Sequence, residues 1–167
     1  TLALSKGEVG QAPLLSVFGG KLTTYRKLAE SAMQQLKAFF PEMQGSWTAT
    51  EALPGGENMH SVEQLIQEIR AQITDAPEAL AKRWASTYGS RIWNILGEIT
   101  SVDQLGKHFG QGLYAKEVDY LSRFEWVTST QDVLWRRSTL GLSFLPSDEL
   151  ALDAFLVAKQ LSPHGAL

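Results

Sequence analysis

The chain has 167 residues, of which 44% are hydrophobic and 20% charged, as is typical of a globular protein with one sizeable core. Its net charge of −3 argues against a nucleic-acid partner, because such proteins usually carry a basic surface. The lack of cysteine excludes disulfides, thiol catalysis and cysteine-ligated metals within the chain, and it fits a reducing compartment. No stretch approaches the roughly 20 apolar residues that a membrane-spanning helix needs.

Two short strands are predicted at the start of the chain. Residues 2–6 and 13–18 are strand-like, and the glycine-bearing residues 7–10 would join them as a hairpin. Since an isolated hairpin is only marginally stable in water, we expect it to belong to a larger sheet. The chain starts at Thr1, which is not an initiator, and enters a strand-like alternation directly, so we expect it to be the C-terminal portion of a longer protein. The unpaired strand edges would also allow pairing with a neighbouring chain, and a homodimer is one such arrangement.

A helix is predicted from residue 22 to residue 39, where apolar residues recur at helical spacing until Pro41 stops the pattern. Residues 41–60 show no periodicity, and their Pro54-Gly55-Gly56 segment is typical of a loop. We therefore expect a domain boundary within residues 41–60.

From residue 61 onward the pattern predicts helices, with no strong strand pattern between them. Ser61 with Gln64, and Ser129 with Asp132, are spaced as helix-capping pairs. The predicted helices cover approximately residues 61–73, 78–89, 91–97, 113–126, 129–140 and 147–161. Short glycine-bearing turns would join several of them, which indicates a compact helical bundle.

Residues 16–26 are the most informative segment for function. An apolar strand meets Gly19-Gly20, Lys21 follows, and a helix begins. Such a turn lets the backbone approach a ligand closely, and the first helical N–H groups then point toward it. The segment predicts a site for a phosphate, a carboxylate or the carbonyl edge of a flavin. On spacing alone, a tight turn with a solvated lysine is the alternative.

Beyond the three residues Gly19-Gly20-Lys21, the whole of residues 17–26 resembles a motif of the FAD-dependent glycerol-3-phosphate dehydrogenases. Further segments are similar to the same family, in its order and at similar spacings, so that the resemblance covers most of the chain. These segments are Trp47-Thr48, residues 52–56 (Ala-Leu-Pro-Gly-Gly), residues 87–90 (Thr-Tyr-Gly-Ser), and residues 132–137 (Asp-Val-Leu-Trp-Arg-Arg) with Gly141 beyond them.

The resemblance implies a mainly α fold. Residues 61–167 would form a helical C-terminal cap domain, residues 41–60 a linker, and residues 1–40 the hairpin and helix of an incomplete FAD-binding α/β domain. It also implies contact with the flavin and substrate region for Gly19, Gly20, Lys21, Leu22 and Thr23. No catalytic residue is assigned within the chain, although Lys21 is a candidate for electrostatic or substrate contact.

The resemblance further implies that the full-length enzyme oxidises sn-glycerol 3-phosphate to dihydroxyacetone phosphate, reduces FAD and passes electrons to a quinone. It would bind peripherally at the cytoplasmic side of the cell membrane. No Gly-x-Gly-x-x-Gly motif occurs here, so we expect the dinucleotide site and the catalytic base in an upstream FAD-binding domain. The chain by itself would then be inactive and would not hold FAD. The alternatives are a glycerophosphate oxidase, or a non-catalytic docking or regulatory module.

Other chemistry-bearing residues favour structural roles. Arg26 and the Arg136-Arg137 pair would suit a phosphate, but an ion pair between Asp132 and Arg136 with aromatic packing explains the arginine pair without a ligand. The histidines share no metal-ligand spacing, so no metal site is predicted; they are His60, His108 and His164. The five tryptophans are predicted to pack in a helical core; they are Trp47, Trp84, Trp93, Trp126 and Trp135.

Overall fold

The computed structural model describes residues 1–7 and 10–160, and it confirms the predicted mainly α class. The chain forms two compact units, Thr1–Ala52 and Leu53–Leu167. The division between them falls inside the segment predicted as a linker, while the domain limits themselves stay a prediction.

The first unit holds the hairpin and the first helix. Strands β1 (Leu2–Ser5) and β2 (Leu14–Val17) pair antiparallel, with Leu2 opposite Val17. A 3₁₀ turn (Leu22–Thr24) leads into helix α1 (Tyr25–Leu36), and a second 3₁₀ turn (Lys37–Phe39) ends the helical run before Pro41. Both strands are shorter than predicted.

Glu30 of α1 fastens the following loop to the helix. Its carboxylate accepts hydrogen bonds from Ser46 Oγ and Thr48 Oγ1, both at 2.6 Å, and pairs with Arg26 at 2.7 Å. The hydroxyl of Ser46, followed by that of Thr48, lowers the pKa of Glu30 to about 2, with Lys27 and Arg26 adding to the effect. The loop after Pro41 is therefore held by side chains although it has no periodic pattern.

The second unit contains most of the helices. Its elements are α2 (Val62–Gln72), α3 (Glu78–Tyr88), α4 (Ile92–Leu96), β3 (His108–Gly110), β4 (Leu113–Tyr114), α5 (Ala115–Phe124), a π-helix (Asp132–Arg136) and α6 (Pro146–Gln160). The 3₁₀ turns lie at Gly89–Arg91, Val102–Leu105 and Leu140–Leu142. The core is apolar and close-packed, and its largest side chains include Trp84, Phe109, Ile69, Leu121 and Leu134.

The helix starts follow the predicted capping residues. Ser61 Oγ accepts from Gln64 N at 3.1 Å at the start of α2, as its spacing predicted. At the second predicted cap, Asp132 N donates to Ser129 Oγ, and the Asp132 carboxylate accepts from Ser129 N. For α6, the predicted last residue, Leu161, lies outside the described residues.

The helix predicted for residues 129–140 is wrong in length and type. The backbone widens into a π-helix, in which Arg137 N donates to Asp132 O rather than to the Val133 carbonyl. The Val133 carbonyl instead accepts from Ser138 Oγ at 2.6 Å. Because that side chain takes the acceptor needed for a further helical bond, the helix ends at Arg136.

A short hairpin in the second unit also departs from the prediction of helices alone. Strands β3 and β4 pair antiparallel, and the helix predicted from residue 113 begins instead at Ala115. His108 supports the turn: its Nε2 accepts from Gly112 N at 3.2 Å, and its ring packs on Tyr114. The strands are too short for an alternating pattern to be visible in the sequence.

The prediction that all five tryptophans pack in the core is wrong for three of them. Trp84 is fully buried and Trp93 is partly buried against the core. Trp47, Trp126 and Trp135 are exposed, and Trp126 leaves 86% of its surface accessible. The prediction failed because tryptophan content alone does not state which rings find a packing partner.

Among the described residues, no helix combines the length and the apolar character needed to cross a bilayer.

Candidate functional site

The glycine turn of the first unit has the backbone geometry that its sequence predicted. Gly19 and Gly20 both adopt positive φ, 75° and 145°, which glycine tolerates. A Cβ added to Gly19 would meet no atom within 4 Å, so this face of the turn is open. At Gly20 an added Cβ would lie 3.0 Å from Leu28 Cδ2, because the turn packs against α1 there.

Lys21 occupies the N-cap position of the helical run. Its backbone is extended, and no side chain caps the first N–H groups of the turn that follows. Lys21 and Leu22 are exposed, as is Thr23. Thr24 Oγ1 donates to Lys21 O at 3.1 Å and serves the local backbone. Among the described residues, the turn thus offers N–H groups without a side-chain cap, the exposed Lys21 and an open face at Gly19. This combination suits an anionic or electron-rich group.

Two of the family-like segments meet inside the second unit. The backbone of Gly55 lies so close to Gly89 that a Cβ on Gly89 would be 1.9 Å from Gly55 O. Ser90 N donates to Gly55 O at 2.8 Å, and the Ser90 hydroxyl reaches Glu57. The N–H groups of Glu57 itself and of Gly55 hold the pKa of the Glu57 carboxyl below its ordinary value. Gly55 and residues 88–90 therefore form one structural junction within the second unit.

A buried carboxylate, which the sequence did not single out, lies next to this junction. Glu117 of α5 is 2% exposed and accepts from Arg83 through two hydrogen bonds, 2.6 and 2.7 Å long. Trp84 Nε1 donates to it at 3.2 Å and Tyr88 Oη at 2.6 Å. One carboxylate therefore receives four donors from three residues of α3, which fixes α5 against α3.

The environment of this cluster raises the pKa values of Tyr88 and Arg83, so both groups keep their protons. Burial and then the charge of Glu117 raise the pKa of the Tyr88 hydroxyl, so it stays a hydrogen-bond donor at neutral pH. Burial by itself would lower the pKa of Arg83, but the hydrogen bonds and the charge of Glu117 raise it overall. The Glu117 carboxylate is fully paired by these donors, and no bound substrate is needed to explain the cluster.

An open cleft of about 390 Å³ lies beside this cluster. Arg83 contributes from α3, and the segment that includes and follows the π-helix supplies Arg136 and Arg137. Its remaining lining residues are Thr87, Trp135, Ser138, Thr139 and Leu140. A Cβ on Gly141 would lie 2.3 Å from the Trp135 ring, so the absence of a side chain at Gly141 makes room for that indole.

The arginines singled out in the sequence have structural partners. Arg136 pairs with Asp132 at 2.8 Å, as predicted from the spacing, and Arg137 Nε donates to Glu125 O at 2.8 Å. Arg26 pairs with Glu30 of its own helix. What the sequence did not indicate is that Arg83 joins Arg136 and Arg137 at one cleft, because these residues are about fifty positions apart in the chain.

No set of three or more histidine, cysteine, aspartate or glutamate side chains is arranged to hold a metal ion within residues 1–7 and 10–160. His164 lies outside the described residues.

Comparison with known proteins identifies the family. Residues 46–158 match the sequence profile of the C-terminal domain of alpha-glycerophosphate oxidase. The chain belongs to this family. The glycine junction, the Glu117 cluster and the arginine-lined cleft all lie inside the matched range, whereas the turn at Gly19-Gly20 precedes it.

Individual relatives carry dehydrogenase names. A glycerol-3-phosphate dehydrogenase of Pseudomonas aeruginosa is 51% identical over 98% of this chain, and an aerobic glycerol-3-phosphate dehydrogenase of Escherichia coli is 40% identical over 90%. A D-erythritol 1-phosphate dehydrogenase of Brucella abortus is also 40% identical, over 86% of this chain. The aligned regions cover 31%, 30% and 29% of these relatives, so the chain spans about a third of their length.

Proposed function

We propose that this chain is the C-terminal part of an FAD-dependent sn-glycerol-3-phosphate dehydrogenase. The observation that carries the proposal is the 51% identity, over nearly the whole chain, with a protein named glycerol-3-phosphate dehydrogenase. The proposed enzyme oxidises the C2 hydroxyl of sn-glycerol 3-phosphate to give dihydroxyacetone phosphate. The chain alone is proposed to be inactive, because it lacks the glycine-rich motif that binds the dinucleotide pyrophosphate.

The turn at Gly19-Gly20 fits one edge of a flavin. Its open face and its uncapped N–H groups suit a ring edge that carries carbonyl oxygens. Gly19, Gly20, Lys21, Leu22 and Thr23 would hold this edge of FAD, which would supply the hydride acceptor for the reaction. The chain's own contribution is electrostatic: Lys21 and the N–H groups of Leu22 and Thr23 stabilise negative charge at this turn. Lys21 is an alternative contact for the substrate phosphate.

The partner of this chain is the upstream FAD-binding domain of the same protein, which supplies the dinucleotide site and the catalytic base. The proposed electron acceptor is a quinone. Oxygen is the alternative, because the matched family is named after an oxidase. We place the full-length enzyme peripherally at the cytoplasmic side of the cell membrane. Light scattering on the 167-residue chain would test the homodimer predicted from the hairpin edges.

D-erythritol 1-phosphate is a second candidate substrate. The named erythritol phosphate dehydrogenase is as similar to this chain as the named Escherichia coli glycerol phosphate dehydrogenase, at 40% identity. Both substrates pair a phosphate with a hydroxyl-bearing carbon, so a phosphate contact at Lys21 would serve either one. Comparing kcat/KM for the two compounds in the full-length enzyme decides between them.

The variant Lys21→Ala in the full-length enzyme tests the turn. If Lys21 stabilises charge on the flavin, kcat for glycerol 3-phosphate oxidation falls about 10-fold or more; if it binds the substrate phosphate, KM rises by a similar factor. Lys37→Ala, an exposed lysine in the 3₁₀ turn that follows α1, is the matched control and should leave both constants unchanged. Unchanged kinetics in both variants would remove Lys21 from the site.

A further inference from the structure

We propose that the cleft between α3 and the π-helix segment is a second binding site, specific for a phosphate group. The inference goes beyond the proposed function and does not depend on it, because it concerns only side chains of the second unit. The cleft is lined by Arg83, Arg136 and Arg137, and none of its described lining residues is a carboxylate. Its volume of about 390 Å³ falls within the range of roughly 300–1,000 Å³ that is usual for small-molecule pockets.

The hydrogen-bonding capacity of the cleft points to a ligand rich in acceptors. Arg83 Nε has no hydrogen-bond partner among the described residues, but it is buried, so Arg83 brings positive charge to the cleft rather than a free donor. Arg137 donates to Glu125 O through Nε, and its terminal nitrogens donate to no described residue. Thr87 and Thr139 add hydroxyl groups to the lining. Guanidinium forks and hydroxyls together match the oxygens of a phosphate.

The acidic partners of these arginines do not close the cleft. Arg83 is neutralised by Glu117, but through its terminal nitrogens only, and Glu117 is not part of the lining. Arg136 pairs with Asp132, yet its side chain is 61% exposed, and an exposed pair of this kind contributes little. The carboxylate of Glu125 is 3.9 Å from Arg137 Nε, beyond hydrogen-bond distance.

The backbone around the cleft also has a form that recurs at functional sites. Trp135 and Arg136 belong to a π-helix, a rare conformation often found at binding and catalytic positions. The widened turn places these residues, together with Arg137, in the lining of one cleft. A purely structural role for the arginine pair would need only the bonds to Asp132 and Glu125.

Titration of the 167-residue chain with inorganic phosphate at constant ionic strength tests the proposal. Binding is followed by the arginine Nε–H resonances in NMR spectra, and we expect a saturable shift of the Arg137 signal. In Arg137→Gln and Arg136→Gln the affinity should fall about 10-fold or more, the usual effect of losing a charge-assisted hydrogen bond. Arg70→Gln, which removes the same charge from α2 outside the cleft, should bind phosphate like the unmodified chain.

Vesicles of phosphatidylglycerol form the second arm of the experiment. Saturable binding of inorganic phosphate that is lost in Arg137→Gln assigns the cleft to a soluble phosphate compound. Binding of the vesicles alone, lost in the same variant, assigns it to a lipid headgroup. The proposal is overturned if neither probe binds, or if Arg137→Gln and Arg136→Gln bind as tightly as Arg70→Gln. Thermal unfolding of each variant confirms that it is folded before binding is compared.

Discussion

At the residue scale, Glu117 is the buried charge on which the packing of α5 against α3 depends. Replacing it by Gln keeps the shape but leaves Arg83 without a counter-charge in a poorly solvated position. Breaking a buried pair in this way costs about 3–5 kcal/mol, so Glu117→Gln should lower the free energy of unfolding by an amount of this order. Urea denaturation of the 167-residue chain measures it.

Glu63→Gln serves as the control for this prediction, because Glu63 is exposed in the first turn of α2. Its effect should stay within about 0.5 kcal/mol, as for most surface substitutions. Equal stabilities of Glu117→Gln and Glu63→Gln would show that the cluster does not hold the two helices together.

Gly89 and Gly97 offer a matched pair at the ends of α3 and α4. Both residues have positive φ, 54° and 49°, with similar ψ, so alanine strains the backbone similarly at each position. At Gly89 the new Cβ would also fall 1.9 Å from Gly55 O, whereas at Gly97 it would meet nothing within 4 Å. Gly89→Ala should therefore destabilise the chain by at least about 1 kcal/mol more than Gly97→Ala in thermal or urea unfolding. An equal loss of stability in the two variants would mean that the close contact between Gly89 and Gly55 does not restrict the side chain at position 89.

At the scale of single elements, α1 is joined to its following loop by a carboxylate whose pKa is far from the ordinary value of 4.5. Since the pKa of Glu30 falls to about 2 in the folded chain, its contribution to stability is fully present above about pH 4.5 and is lost as the pH falls toward 2. An NMR titration should place the midpoint of the Glu30 carboxyl near 2.

The variant Glu30→Gln supplies the control for α1. Above pH 5 the variant should release Ser46 and Thr48, which would appear as faster amide exchange in residues 46–48. Well below pH 2, where Glu30 is largely protonated in the folded chain, amide exchange in residues 46–48 should be alike in the two proteins. A Glu30 midpoint near 4.5 in the unmodified chain would contradict the described hydrogen bonds.

The elements that local rules specify were predictable from the sequence. Helices α2 and α3 have apolar stripes, and Ser61 caps α2 as its spacing indicated. The β3–β4 hairpin was missed because its strands of three and two residues show no alternation. The π-helix was missed because its end depends on the Ser138 side chain taking a backbone acceptor, which no periodicity reveals.

The same distinction applies to the candidate sites: a site built from a local motif was predictable from the sequence, and sites built from distant residues were not. The glycine turn was found from a local motif, and its positive φ angles agree with the sequence. The Glu117 cluster was not found, because burial of a carboxylate depends on donors more than twenty-five positions away in the chain. The cleft likewise needs Arg83 to meet Arg136 and Arg137, a tertiary contact that neither segment indicates alone.

At the scale of the whole molecule, we propose that the chain contributes one turn and one helical unit to a larger enzyme. A version of the full-length protein truncated before Ser61 should keep its flavin but lose most glycerol-3-phosphate-dependent dye reduction. That result would show that the helical unit acts on catalysis or assembly rather than on cofactor retention. Loss of the flavin would show that the helical unit helps to hold it. Retention of both flavin and activity would make the unit an accessory docking module.

The central claim is that the complete protein uses FAD to oxidise glycerol 3-phosphate, and anaerobic mixing of the purified full-length protein with that substrate tests it most directly. We predict that the yellow flavin absorbance bleaches within the time of one turnover, while glycerol without phosphate leaves it unchanged. A full-length protein that carries no flavin, or whose flavin stays oxidised with glycerol 3-phosphate, would contradict the account.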